Sequence, residues 1–130
     1  MFKVFRDNSR NTKYFTIEEQ METLSKTKPY VGANPKVKLE KRPIYQYKSE
    51  ATYEGTWKGG MRQGVGFMQW VDGASYEGEW KDNKANGEGK FIYSDGDIYE
   101  GKWANDKANG FGIYLHLNGA RYEGQWVNDA

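Results

Sequence analysis

The chain contains no cysteine, so neither a disulfide framework nor a thiolate metal site can be built. A single histidine, His116, leaves no histidine pair for zinc and removes most nucleophile–base arrangements. No apolar run approaches the ~20 residues that a membrane-spanning helix requires. The opening Met1-Phe2-Lys3-Val4-Phe5-Arg6 holds too short an apolar stretch for a secretory signal, and an intracellular location is expected. Aliphatic material is also scarce. Only 37% of residues are hydrophobic, which suits a thin sheet better than a thick core.

Aromatic rings and glycine are plentiful: ten tyrosines, six phenylalanines, five tryptophans and 16 glycines. They are not scattered. Tyr53-Glu54-Gly55-Thr56-Trp57 returns as Tyr76-Glu77-Gly78-Glu79-Trp80, Tyr99-Glu100-Gly101-Lys102-Trp103 and Tyr122-Glu123-Gly124-Gln125-Trp126, always after 23 residues. Gly64-x-Gly66, Gly87-x-Gly89 and Gly110-x-Gly112 share one pair of columns, and Gly73, Gly96 and Gly119 share another. Met68, Phe91 and Tyr114 align, as do Trp70, Tyr93 and His116. A fixed period of this length denotes an array of one supersecondary unit.

The unit reads as a β-hairpin. Tyr53, Gly55 and Trp57 alternate with Glu54 and Thr56, a period of two. Asp72-Gly73 between two such runs is a two-residue hairpin signal. Alternating glycine with aromatic and polar residues is poor helix material. The glycines are expected to seat a neighbouring ring, with Trp57 covering Gly64 or Gly66. Expected strands lie near 53–58, 65–70, 75–81, 88–93, 98–104, 111–116 and 121–126.

This pattern of Tyr-Glu-Gly-x-Trp followed by Gly-x-Gly resembles the MORN (membrane occupation and recognition nexus) repeat. The resemblance covers residues 53–130: repeats 53–75, 76–98 and 99–121, and the start of a fourth at 122–130. It implies a mainly β fold, an elongated single-layer antiparallel meander of repeated hairpins. It also implies an interaction module, found in membrane-junction, ciliary and cytoskeletal settings. Gly55, Gly64, Gly66, Gly78, Gly87, Gly89, Gly101, Gly110 and Gly112 are the structural glycines of that unit.

Two segments precede the repeats: an extension over 1–29 and a basic lead-in over 30–52. Thr16-Ile17-Glu18-Glu19 is a capping box, and Ile17, Met21 and Leu24 form one narrow apolar stripe. A helix over about 17–26 is expected, ending before Pro29. So short a helix is marginal alone and must dock, on its own sheet or on a partner. The period carried backwards aligns Tyr45 with Met68 and Tyr47 with Trp70, so a capping strand over 43–48 is expected to pair with the first repeat. Tyr30 and Gly32 align more weakly with Tyr53 and Gly55.

Charge is divided. Residues 1–50 carry 11 Lys/Arg against 6 Asp/Glu, and residues 51–130 carry 8 against 12. Lys26, Lys28, Lys36, Lys38, Lys41, Arg42 and Lys48 concentrate the positive charge.

No catalytic constellation emerges. The glutamates at 54, 77, 100 and 123 read as solvated, balanced by lysines and Arg121. Asp95-Gly96-Asp97 lacks calcium-loop spacing, and Gly-x-Gly opens a strand, not a phosphate-binding helix. No cofactor or metal is expected. The rings sit in the acidic part of the chain, which argues against nucleic acid. Two function classes remain. One is a non-catalytic scaffold that binds a helix or extended peptide on the face formed by Tyr53, Trp57, Trp70, Tyr76, Trp80, Tyr93, Tyr99, Trp103, Tyr122 and Trp126. Self-association through the last strand belongs to the same class. The other is peripheral binding of anionic phospholipid, phosphoinositides included, through the basic segment 26–48.

Overall fold

A computed structural model describes residues 11–26 and 39–129. The expectations placed on Tyr30 and Gly32, and on Lys28, Lys36 and Lys38, lie outside the described residues, as does the side chain of Lys26.

Two helical pieces come first, α1 (Asn11–Tyr14) and α2 (Ile17–Lys26). Two short strands follow, β1 (Glu40–Lys41) and β2 (Tyr45–Gln46). Then come β3 (Thr52–Lys58), β4 (Met61–Gln69), β5 (Ser75–Lys81), β6 (Lys84–Ile92), β7 (Ile98–Ala104), β8 (Lys107–Leu115) and β9 (Arg121–Trp126). β3 to β9 pair in sequence order into one open antiparallel sheet. β1 and β2 both pair with β3, placing Tyr45 opposite Tyr53. The capping strand read from the period is therefore present as β2, while β1 adds a second pairing that sets Glu40 opposite Trp57.

The two hairpin links in each repeat exchange the roles expected of them. The two-residue turns are Asp82-Asn83 and Asn105-Asp106, where all four residues have positive φ, between 50° and 72°. Asn and Asp tolerate this left-handed conformation, as Gly59 does in the Gly59-Gly60 turn before β4, so the strands close tightly and β4, β6 and β8 begin about four residues earlier than expected. The Asp-Gly sites lie in wider turns. Trp70 N–H donates to the Ala74 carbonyl, and Gly73 N–H donates to the Trp70 carbonyl. Tyr47 to Ala51 repeats that turn, with Glu50 at φ 75° in the glycine column. The turn before β3 thus has the hydrogen bonds of the turns between the later repeats.

A row of glycines crosses the sheet. The register Gly55–Gly66–Gly78–Gly89–Gly101–Gly112–Gly124 is continuous through six strand pairs. Over this row lie the tyrosines, not the tryptophans: a Cβ at Gly66 would overlap the Tyr53 ring, and the same holds for Gly89 with Tyr76 and Gly112 with Tyr99. The expected cover of Gly66 by Trp57 is thereby corrected. The cause is a bulge between Gly55 and Trp57, repeated between Gly78 and Trp80 and between Gly101 and Trp103. It turns the carbonyl of the next residue towards the curled-back tyrosine, and Tyr53 Oη donates to Thr56 O at 2.8 Å. Tryptophan instead reaches the preceding repeat: Trp80, Trp103 and Trp126 Nε1 donate to the carbonyls of Gly66, Gly89 and Gly112 at 3.1–3.3 Å.

These contacts produce one herringbone of rings in the order Trp57–Tyr53–Trp80–Tyr76–Trp103–Tyr99–Trp126. Successive centroids are 4.9–5.5 Å apart and successive planes cross at 79–89°. Edge-to-face pairs of this kind contribute about 0.5–1.5 kcal/mol each beyond area burial. One face of a single sheet thus supplies its own core, without a second sheet.

Candidate functional site

The aromatic face is a groove, and residues 11–26 lie along it. Asn11 reaches the far end of the array, where its Nδ2 donates to Asp129 Oδ1 at 2.8 Å and its Oδ1 accepts from Tyr93 Oη at 2.6 Å. Tyr14 Oη donates to Asp72 Oδ2 at 2.7 Å. Phe15 stands edge-on to Trp70, Tyr76, Trp80, Phe91 and Trp103, with centroids 5.3–6.0 Å away. At the near end, Glu22 accepts from Tyr45 Oη at 2.7 Å and from Lys48 N–H, and Glu19 accepts from Ser49 Oγ. The segment therefore runs antiparallel to the order of the repeats and spans the described array.

The helix begins as its capping box specifies, with Glu19 N–H donating to Thr16 Oγ1 at 3.3 Å. Its orientation is the reverse of the one its stripe suggests. Glu19 and Thr23 are buried, whereas Ile17, Met21 and Leu24 are 60%, 59% and 45% exposed. Polar docking prevails because the rims of the groove present hydrogen-bonding groups. Phe15 and Tyr14, just ahead of the helix, supply the apolar anchor.

The lower rim is a ladder of Asn83, Asp106 and Asp129, one column of the repeat. Each has positive φ, and each bonds twice to the residue 21 positions earlier. Their main-chain N–H groups donate to the carbonyls of Arg62, Ala85 and Ala108, and their Oδ1 atoms accept from the N–H groups of the same residues. The remaining capacity faces the docked segment. Asn83 Nδ2 donates to the Gln20 carbonyl at 3.1 Å, and Gln20 Nε2 donates to Asp106 Oδ2 at 3.2 Å.

Arg62 is buried beneath this helix where later repeats carry Ala85 and Ala108. Its guanidinium donates to Asn83 Oδ1 at 2.7 Å and to Asn83 O at 2.9 Å. It also lies 4.5 Å from the Trp80 ring centroid and 5.6 Å from that of Tyr47. Burial raises the carboxyls of Glu19 and Asp106 above their ordinary range, partly opposed by their hydrogen bonds and by Arg62. Asp72 is held low: its bonds from Ala74 N–H and Tyr14 Oη, with Lys13 nearby, outweigh its desolvation. Burial also raises the Tyr47, Tyr53, Tyr76 and Tyr99 hydroxyls, which stay protonated, and the last three donate to main-chain carbonyls.

Of the ten rings singled out from the sequence, Tyr53, Trp57, Trp70, Tyr76, Trp80, Tyr93, Tyr99, Trp103 and Trp126 are buried, and Tyr122 is partly buried. In the basic segment, Lys41 and Lys48 are exposed, while Arg42 lies over Trp57, pairs with Glu40 and donates to the Gly59 carbonyl. His116 packs against Tyr114 and Tyr122, as its aromatic column suggests, and its Nδ1 stands 3.2 Å from Asp97. Asp97 also accepts from Tyr114 Oη, so the Asp95-Gly96-Asp97 turn is tied to the next repeat. The sequence reading missed Asn11, Tyr14, Phe15 and Gln20 as groove ligands, and Arg62 as their support. The Asn/Asp column itself was visible at the 23-residue period, but its outward capacity was not.

Among the described residues, no helix is long and apolar enough to cross a membrane, and no group of three or more His, Asp or Glu is placed to hold a metal. Fold and groove together define a protein of tandem β-hairpin repeats. The MORN repeat family model matches residues 53–75, 76–98, 99–121 and 122–130, and the chain belongs to that family. No curated protein gives a significant match. MORN repeats serve as interaction modules towards proteins or membranes, and the family is generally non-enzymatic.

Proposed function

We propose that this chain is a non-catalytic scaffold that takes a protein partner through its aromatic groove. The reading rests on one observation: a helical stretch of polypeptide is accommodated there by side-chain contacts from one end of the array to the other. The groove offers an aromatic socket, the one Phe15 occupies, and two hydrogen-bonding rims. A peptide is recognised by such features, whereas a lipid headgroup calls for exposed cations. A cytoskeletal or ciliary setting belongs to this reading as its finer form.

Co-sedimentation with phosphoinositide-containing vesicles, at low and at physiological salt, separates the scaffold from a membrane binder. Loss of binding at physiological salt is expected, because exposed lysines act through a screened field. Retention that survives salt would overturn the scaffold reading in favour of lipid recognition.

A further inference from the structure

Residues 11–26 meet the groove in the manner of a bound ligand. Their hydrogen-bond partners are remote in sequence: Asn11 bonds Asp129, 118 positions away, and Gln20 bonds Asp106, 86 positions away. Within the segment the contacts divide by chemistry. The amide of Asn11 joins Tyr93 to Asp129, Phe15 fills a five-ring socket, and Gln20 joins two rungs of the Asn/Asp ladder. The herringbone joins rings of the repeats to one another, and Phe15 rests on top of it against Tyr76, Trp80 and Trp103.

The geometry points to a groove that receives a partner helix of the same chemistry as residues 11–26, with those residues occupying it in cis as a displaceable competitor. The partner segment carries an amide side chain, a Tyr-Phe pair three and four positions on, and a short helix whose buried face presents a glutamine five residues after the phenylalanine. Its backbone and amide then satisfy Asn83 and Asp106 as Gln20 does. On release, the cis segment takes its outward Ile17, Met21 and Leu24 with it. This inference rests on the scaffold reading and adds the identity of the ligand and the means of gating.

A covalently attached competitor acts at an effective concentration on the order of millimolar, so a partner of micromolar affinity is weakened on the order of 100-fold or more. The test uses the full chain and a fluorescent peptide of residues 11–26, with binding read by anisotropy. The wild-type chain should bind the peptide weakly. Phe15→Ala empties the socket without altering the groove, and Gln20→Glu sets a carboxylate against Asp106. Each should tighten binding of the wild-type peptide at least tenfold, and a peptide with Phe15→Ala should lose it. Variants that keep the β-sheet circular dichroism of the wild type yet bind no more tightly would overturn the inference. If neither variant folds, hydrogen exchange in the wild-type chain decides. Amides of α2 that open well before those of β5 to β7 support displacement, and opening only with the whole sheet refutes it. The vesicle measurement stands apart, so failure here leaves the scaffold reading intact.

Discussion

The phenol of Tyr76 lies on the backbone of Gly89, so closely that a methyl group at Gly89 would occupy the same space as the ring. Its hydroxyl then donates to the carbonyl of Glu79 at 2.9 Å, which locks the ring across the strand pair. Gly89→Val should therefore cost about 1–3 kcal/mol, as overpacking does. Gly66→Val should act alike through Tyr53. Thermal melts of the two variants check this, and melting temperatures equal to the wild type would contradict the ring-on-glycine register. Tyr76→Phe keeps the ring and loses one hydrogen bond, so a smaller loss of about 1 kcal/mol is expected.

Glu50 occupies the column that Gly73, Gly96 and Gly119 fill, at φ 75°. A non-glycine residue in this region carries strain of roughly 1 kcal/mol. Its side chain is exposed, so nothing is lost by removing it. Glu50→Gly should stabilise the chain by up to about 1 kcal/mol, a rise of ~3–5 °C for a domain near this size. A fall in melting temperature would show that the side chain does more than tolerate the turn.

Arg62 is held by its planar fork and by two rings. Lysine has the charge but not the fork, so Arg62→Lys should destabilise by roughly 1–3 kcal/mol despite its apparent conservatism. Arg62→Ala reproduces the residue found in the later repeats but leaves the space beneath α2 unfilled, and should cost at least as much. Chemical denaturation of both variants gives the comparison.

Asp106 carries a carboxyl raised by burial above the ordinary aspartate value of 3.8. Between that value and its folded one, the native state binds more protons than the unfolded state. Its contribution to stability is therefore greatest below the ordinary range and declines as pH rises through the folded value. Asp106→Asn, which copies Asn83, keeps the bond to Ala85 N–H and, with the Gln20 amide turned to present its oxygen, should be more stable than the wild type at pH 7. The difference should vanish below about pH 4. A pH series of melting temperatures for the two proteins tests the sign.

Much of this architecture is legible in the 23-residue period. Tyr53, Gly66 and Trp57 announce a ring-on-glycine hairpin, and Tyr45 and Tyr47 announce a capping half-repeat. What the period does not assign is which ring lies on which glycine, because that depends on a bulge that shifts the face by one residue. The start of β6 was misplaced for a related reason. Lys84-Ala85-Asn86 looks polar enough for a loop, yet Asp82 and Asn83 complete the turn in two residues by adopting positive φ. The helix shows the limit of amphipathic patterning. Ile17, Met21 and Leu24 define a stripe, but the groove rims select Glu19 and Gln20 because they offer polar partners. The periodicity locates a helix and leaves its docked face to the surface that receives it.

The Asn11–Asp129 bond joins residues 118 positions apart, and Glu22 closes on Lys48 at the opposite end of the sheet. A bare array of stacked hairpins melts like a zipper, fraying from its ends with each repeat coupled only to its neighbours. A strap fastened at both ends opposes that fraying while it is docked: the first and last hairpins both gain from it, and its displacement returns the array to nearest-neighbour coupling. The same fastening raises the mean sequence separation of native contacts, which slows folding relative to the hairpins alone. Fast assembly of the repeats, followed by a slower phase in which Phe15 closes over Trp80 and Trp103 and changes their fluorescence, is the expected kinetic signature of the strap.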